Sequence, residues 1–486
     1  MMITHYPMPT FEHPLLREDL TIYWQALSDS QRALMIRHID KARQHGVSEW
    51  GVRDMAVALA RYLKGDRGLI DLLDTQPISL SACRDLAGLD PRYHRIGEWA
   101  LSQLVCIKLN GGLGTTMGCR GPKSLVPMDG TRRFIDMVMA QLQAWRLATG
   151  APLPMVLLNS FYTMRDTMAA VTLPHVVSLM QHQVPRLRAD SGEPFEYPAD
   201  PSAEWNPPGH GDLFHSLYAS GQLDRWVRDG FQYAFVSNID NVAATIDPAL
   251  LGYMIDSQWD MMMEVTPKCP QDRKGGSVAM INGRLSLLER SQVPPAQWHL
   301  LDRHDAYPWF NTNSIWVDLR ALATYIRQAP LTLPLLVNPK TVHGQAVVQL
   351  ETAMGSAIAT LNRTGLVSVG RHRFLPVKTT ADLVVLRSNC VTKQADGTVS
   401  WQDLPVVSLS SDYNQMDALS TFMPCLPDLS AAQSLQVNGP VSFHHPWAVQ
   451  GSVTIHNPSS DVVPFEGGML TSGTYTHTPD GWVHQP

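Results

Sequence analysis

The chain has 486 residues and a mass of 54.0 kDa, too long for one ordinary domain and long enough to bury a substantial core. Its 38 Lys and Arg against 44 Asp and Glu give a formal net charge of −6 and a pI of ≈ 6.3, and no basic run stands out; this excludes polyanion- and anionic-membrane-binding classes. Six cysteines without a CxxC pair or metal-ligand spacing argue against a disulfide framework and predict reduced thiols in a reducing compartment.

In chain order, the opening stretch MMITHYPMPTFEHPLLREDL has early prolines, an early glutamate and no apolar centre, so neither a secretory signal nor an amphipathic transit peptide is expected. No uninterrupted apolar run approaches the length of a membrane span, and a cytoplasmic protein is expected. Residues 19–80 read as helical: DLTIYWQALSDSQRALMIRHIDKARQ spaces its apolar residues at three and four, and GVRDMAVALARYLKG does the same before a closing glycine. From residue 101 the texture changes. Short apolar runs, LSQLVCIKLN, PMVLLNS, VVSLMQ, YAFVSNID and MMMEVT, alternate with helical stretches such as FIDMVMAQLQAWR. Such runs predict strands buried on both faces of a mostly parallel sheet, hence a doubly wound α/β domain. Residues 184–212 carry six prolines and no periodicity, which predicts a long loop. Beyond RFLPVKTTADLVVLRSN, short alternating segments with polar turns predict an all-β tail; a parallel β-helix and an ordinary sandwich edge both satisfy the pattern.

Where LVCIKLN ends, residues 108–124 read KLNGGLGTTMGCRGPKS, with five glycines, two lysines and no carboxylate. A loop at the carboxyl end of a strand in an open α/β sheet lies where such folds bind ligands. Gly111, Gly112, Gly114, Gly118 and Gly121 let the backbone approach a ligand closely and turn N–H groups inward as an anion cradle. A P-loop needs glycine directly before its Lys-Ser, where this chain has Pro122, and the dinucleotide fingerprint fails by one extra residue between its last two glycines. The pattern instead resembles the loop of the sugar nucleotidyltransferases, L-x-G-G-x-G-T followed by Pro-Lys.

Six further stretches extend the resemblance: PPGHGD (207–212), FVSNIDN (235–241), EVTPKCPQDRKGGSVAMINGRLSLLERSQVP (264–294), FNTNSIWV (310–317), QLETAMGSAI (349–358) and RFLPVK (373–378). With the glycine loop they are similar, in order, to the signature blocks of the eukaryotic-type UTP–glucose-1-phosphate uridylyltransferases. The resemblance implies a helical segment over 1–100, a Rossmann-like nucleotidyltransferase domain over 101–390 and a left-handed β-helix domain over 391–486. It implies UTP and glucose 1-phosphate as substrates, UDP-glucose and pyrophosphate as products, Mg2+ as cofactor, no nucleic-acid or membrane partner, and a tail able to carry a homo-oligomer contact.

A phosphate monoester, with a second pKa near ~6, is already anionic, so the implied nucleophile needs no general base. Alignment and charge neutralisation are left for the protein. Lys123 resembles the family lysine on the triphosphate, and Lys378 the second, remote lysine that completes a cationic clamp. Asp240 ends the strand YAFVSNID; its position would equally suit a helix cap, and the resemblance makes it the Mg2+ ligand, an ion for which one carboxylate suffices. Asn238, on the same face two residues earlier, resembles the sugar-phosphate contact. The family reads uracil with the glycine loop, here Leu109, Asn110, Gly111 and Gly112, with a glutamine and with the PPGHG turn. Gln181 in MQHQVPR matches that glutamine, with Gln183 as the alternative register. Gly209 and His210 match the turn that holds uracil and the sugar phosphate, and sugar selection falls to Asn313 and Glu351, polar groups able to pair with hydroxyls.

Two departures keep alternatives open. Thr116 stands where the broader superfamily has arginine, a charge that Lys378 would supply, and Ser314 stands where many relatives carry a second asparagine. A broad-specificity UDP-sugar pyrophosphorylase therefore remains as one alternative. A non-catalytic nucleotide-sugar-binding scaffold is the other, since fold does not imply activity.

Overall fold

A computed structural model describes residues 7–269, 272 and 275–486. The apolar runs form strands of one eight-stranded mixed sheet: β1 (Leu104–Asn110), β2 (Met155–Asn159), β3 (Val176–Met180), β4 (Tyr233–Asn238), β5 (Met261–Pro267), β6 (Trp309–Asp318) and, after β7 (Gln345–Glu351) in a separate small sheet, β8 (Thr364–Ser368). Across the sheet the order is Arg84–Asp85, β8, β5, β6, β4, β1, β2, β3. Every neighbouring pair is parallel except those made by β6, which runs antiparallel between β4 and β5.

The strands show no polar alternation because both faces are covered. Along β1, Val105, Ile107 and Leu109 pack beneath three N-terminal helices, α1 (Pro14–Gln25), α2 (Asp29–Gln44) and α3 (Glu49–Leu63). Leu104 and Cys106 face the other way, toward α4 (Arg92–Ala100) and α5 (Phe134–Thr149). Later in the chain, α6 (Leu213–Ala219) joins the first face and α7 (Pro248–Asp256) the second. The N-terminal helices thus share one core with the sheet. Lys108, also in β1, is buried; its Nζ donates to Ser237 Oγ (2.7 Å) and the Ala244 carbonyl (2.9 Å), tying β1 to the turn after β4.

Ser28 caps α2 in a box with Gln31, and Ser48 caps α3 by accepting from the Gly51 N–H. Helical texture stops at Leu63, short of residue 80, because Gly65 takes φ 91° and the chain turns into 3-10 turns and a short strand, Thr75–Pro77. Residues 184–206 differ from a plain loop: they form short pairs, Val184–Pro185 with Trp205–Asn206 and Leu187–Arg188 with β7. The segment is pinned to α2 by Arg37–Glu193 and Lys41–Glu204, both at 2.6 Å, with Phe195 fully buried. Its order comes from these long-range side-chain anchors, which leave no periodic trace in a sequence.

In the tail, Val406–Leu409, Asp428–Asn438, Trp447–His456 and Gly473–Thr478 stack as parallel ladders around Val441, Phe443, Trp447 and Ile455. Met117, Val126 and Met128 from the glycine-loop region join the same core. Among the described residues, no helix is long and apolar enough to cross a membrane.

Candidate active site

The carboxyl ends of β1, β3 and β4 and the first half of β6 converge on an open cleft of ≈ 1170 Å3. Its floor is the glycine loop. Gly114 and Gly118 take φ 64° and 61° on either side of a short 3-10 turn, Thr115–Met117, which folds the loop back so that the Lys123 N–H reaches the Gly112 carbonyl (3.2 Å). A side chain at Gly111 would sit 2.7 Å from Gln181 Nε2, so the missing Cβ is what admits that amide to the cleft wall. Gln181 lines the cleft and Gln183 does not. Leu109, Asn110, Gly111 and Gly112 all line it too, with the Asn110 amide turned inward onto Asn159 and Thr167.

Asp240 follows β4 at the same edge, and the Ile239 N–H donates to the Leu109 carbonyl to hold the turn against the loop. The Asp240 Oδ2 accepts from Lys123 Nζ (2.6 Å) and from Lys378 Nζ (2.8 Å). Burial would push this carboxyl up, yet the Lys378 and Lys123 ammonium groups outweigh it and hold its pKa at about 2. The other oxygen, Oδ1, is buried and has no donor among the described residues. An anionic oxygen left open in this way suits a cation.

The segment carrying Lys378 is sutured to that turn. Asn241 donates to the Arg373 carbonyl (3.2 Å) and accepts from the Leu375 N–H (3.0 Å), while Asp382, in α8 (Thr380–Arg387), accepts from the Lys378 N–H (2.8 Å). Beneath it, Arg373 forks onto both oxygens of Glu264 (3.0 and 2.9 Å), and Trp316 Nε1 donates to the same carboxylate (2.9 Å). Sequence reasoning missed this support, although an arginine five residues before Lys378 in a block that is otherwise apolar is a signal for a buried ion pair.

Asn313 reaches the cleft through a defect in the sheet. The β5–β6 register slips between Glu264 and Val265, leaving a bulge on β6 where Asn313 takes φ 58°. The bulge turns its Nδ2 onto Asn238 Oδ1 (2.8 Å) and leaves its own Oδ1 buried without a donor among the described residues. His210 sits opposite in the 207–212 turn, its Nδ1 accepting from the Met354 N–H (3.0 Å), so the ring proton is on Nε2. Burial, and then the Lys378 charge, lower its pKa to about 4, which keeps the ring neutral. Gly209 takes φ 84° and a Cβ there would collide with the Thr352 carbonyl.

Glu351 is the one predicted residue not brought to the cleft. It lies under the 207–212 turn, where its carboxylate accepts from Asn338 (3.2 Å) and burial pushes its pKa up. Glu289, with its pKa raised to about 7 by burial, lines the cleft near Gly276 and Phe310 instead. The tail adds a wall, Trp401–Val407, and clasps the loop: Arg120 pairs with Asp417 (2.6 Å), and a Cβ on Gly118 would fall inside the Gln415 amide.

Residues 55–449 match the family model described as UTP–glucose-1-phosphate uridylyltransferase. A protein of that name from Solanum tuberosum is 35% identical over 436 residues, covering 87% of this chain and 91% of the relative, and one from Pyrus pyrifolia is 36% identical over 367 residues, covering 73% and 78%. Among solved structures, a point mutant of UDP-glucose pyrophosphorylase from Leishmania major in complex with UDP-glucose superposes with a TM-score of 0.85 at 32% identity, covering 93% of this chain and all of that one. A Trypanosoma brucei structure described as UDP-glucose phosphorylase gives 0.85 at 33%, covering 91% and 99%. With the glycine loop, the Asp240 turn and the RFLPVK segment assembled on one edge of a sheet that these proteins share, the chain belongs to the UTP–glucose-1-phosphate uridylyltransferase family.

Proposed function

We propose that the cleft transfers the uridylyl group of UTP to glucose 1-phosphate, forming UDP-glucose and pyrophosphate. The observation that carries this reading is Asp240 between Lys123 and Lys378 at the mouth of the glycine loop, an arrangement that gathers two ammonium groups on one carboxylate beside a loop suited to a triphosphate. A phosphate oxygen of the sugar phosphate attacks the α-phosphorus, the bond from that phosphorus to the bridging oxygen breaks, and its electron pair leaves with pyrophosphate. No proton has to move. Lys123 and Lys378 spread the negative charge, and the loop N–H groups orient the triphosphate. Neutral His210 offers its Nε2–H as a donor, Asn238 and Asn313 hold the sugar phosphate, and Glu289 with them faces the hydroxyls.

The donor set fits Mg2+, with the open Oδ1 of Asp240 as its protein ligand. Bound there, the ion would supply further electrostatic stabilisation of the phosphate charge. The tail is read as a β-helix, which its parallel ladders support and whose left hand the family resemblance implies.

Gly209→Ala tests the turn. With φ at 84° and the Thr352 carbonyl in the way, the substitution is expected to raise KM for UTP about tenfold while changing kcat little, read from initial rates of pyrophosphate release. The function itself is tested by pyrophosphate release with UTP and Mg2+, comparing glucose, galactose and N-acetylglucosamine 1-phosphates. Release with glucose 1-phosphate alone is expected. Comparable release with several sugars would move the assignment to a broad UDP-sugar pyrophosphorylase, and none from folded, UTP-binding protein would leave a scaffold.

A further inference from the structure

We infer that His182 and Asp212 form a positioning pair that locks together the two segments presenting Gln181 and Gly209–Gly211 to the nucleotide, and that nucleotide affinity falls as this pair loses its proton. The inference rests on the uridylyltransferase reading above.

His182 directly follows Gln181 at the end of β3, and Asp212 directly follows the glycine turn. The Asp212 carboxylate accepts from the His182 N–H, from His182 Nδ1 and from Ser216 Oγ, each at 2.7 Å. Side-chain exposure is 10% for His182 and 2% for Asp212, so water does not replace these bonds. On its far side, His182 Nε2 lies 2.6 Å from the hydroxyl of Ser48, the cap of α3, and Gly51 one turn on leaves the space the ring fills. The N-terminal helix therefore wedges the imidazole onto Asp212. The pair thus ties the residue that follows Gln181 to the residue that follows the glycine turn.

The charged groups around the ring set the sign. Asp212 faces it from the turn and Asp54 from α3; Asp54 is itself engaged by His215 of α6 and by Arg53, and Ser216 adds a neutral hydroxyl. Burial pulls the imidazole down, but Asp212, helped by Asp54, overrides it and raises its pKa above the ordinary histidine value. A raised histidine pKa means that the paired arrangement gains most when the ring is charged, fully below the ordinary value, and loses that gain as pH rises through the raised one. Hydrogen bonds survive deprotonation, since Nδ1–H still donates to Asp212 and Nε2 can accept from Ser48; the charge attraction does not.

The test is UDP-glucose affinity from pH 6 to pH 8.5, a range in which its diphosphate has no proton to lose, for the wild type and for His182→Asn. The asparagine amide occupies the place of Nδ1, keeps a donor toward Asp212 and cannot titrate. Because Glu289 also titrates near neutrality at the glucose end, the quantity read is the difference in slope between the two proteins. Wild-type affinity is expected to fall at least about threefold more than that of the variant across the range, with kcat of the variant within about twofold. Should the variant fail to fold, calorimetry of UDP-glucose binding to Glu289→Gln protein in two buffers of different ionisation enthalpy is expected to show proton uptake at pH 8. Equal slopes, or no uptake, would overturn the pair's role. A wild type that binds no UDP-glucose at any pH overturns the uridylyltransferase reading, and the pair's role with it.

Discussion

Lys123→Ala is expected to lower kcat for pyrophosphate release by about two to three orders of magnitude while shifting the thermal midpoint by no more than about 2–4 °C. The Lys123 side chain is 12% exposed and, among the described residues, its ammonium is bonded only to Asp240 Oδ2, so it makes one charge contact in the free protein and, in the proposed mechanism, is already in place when charge builds on the departing pyrophosphate. A group that is pre-placed in a shielded cleft acts at full strength in the transition state, because nothing must reorganise when the charge appears. Removal does not leave Asp240 alone: Lys378, which is 56% exposed, still reaches the same oxygen and keeps the carboxylate paired, which is why folding survives. Lys123→Arg tests geometry against charge, and a planar guanidinium is expected to restore only part of the rate. Rates are read under saturating substrates. Turnover of Lys123→Ala within a few-fold of wild type would remove the lysine from the mechanism.

Arg373→Ala is expected to cost about 3–5 kcal/mol of stability. Arg373 is 5% and Glu264 1% exposed, and the guanidinium satisfies both carboxylate oxygens as well as the Thr245 carbonyl (2.8 Å). Deleting it strands a carboxylate whose remaining side-chain donor among the described residues is the Trp316 indole. Breaking a buried pair costs far more than exchanging both members for apolar residues, so Arg373→Met combined with Glu264→Leu should recover much of the loss. Urea midpoints for the single and double variants decide the matter. A single variant within about 1 kcal/mol of wild type would show that the pair is dispensable.

The cleft was readable where its chemistry sits at the end of a strand. LVCIKLN and YAFVSNID announce buried strands by their unbroken apolar runs, and the residues directly after such a run must emerge at the carboxyl edge of the sheet. Glycine loop, Asn238 and Asp240 are therefore placed by local pattern. Pro122, by displacing the glycine of a P-loop, also tells the two kinds of phosphate loop apart from residue identity. Gln181 and Gln183 could not be separated in this way, because consecutive loop residues have no periodicity; the missing side chain of Gly111 is what admits one of them.

Other features were out of reach for a physical reason. Glu351 is a polar residue in a signature block, yet the pairing of β7 carries it under the 207–212 turn, while Glu289, in the LLERSQVP stretch, comes to the cleft. The bulge that aims Asn313 depends on how β6 is squeezed between β5 and β4, and no motif records a register slip. Met117 reads as a loop residue and is buried in the core of the tail.

The buried strands of the main sheet and the helices between them, with the side of the sheet on which the chemistry lies, follow from short-range preferences that each residue carries with it. The electrostatics of the site do not. Asp240 meets Lys123 across 117 residues and Lys378 across 138, and its depressed pKa arises from that meeting. Charge interactions vary with distance and burial, and neither quantity exists until packing has brought distant segments together.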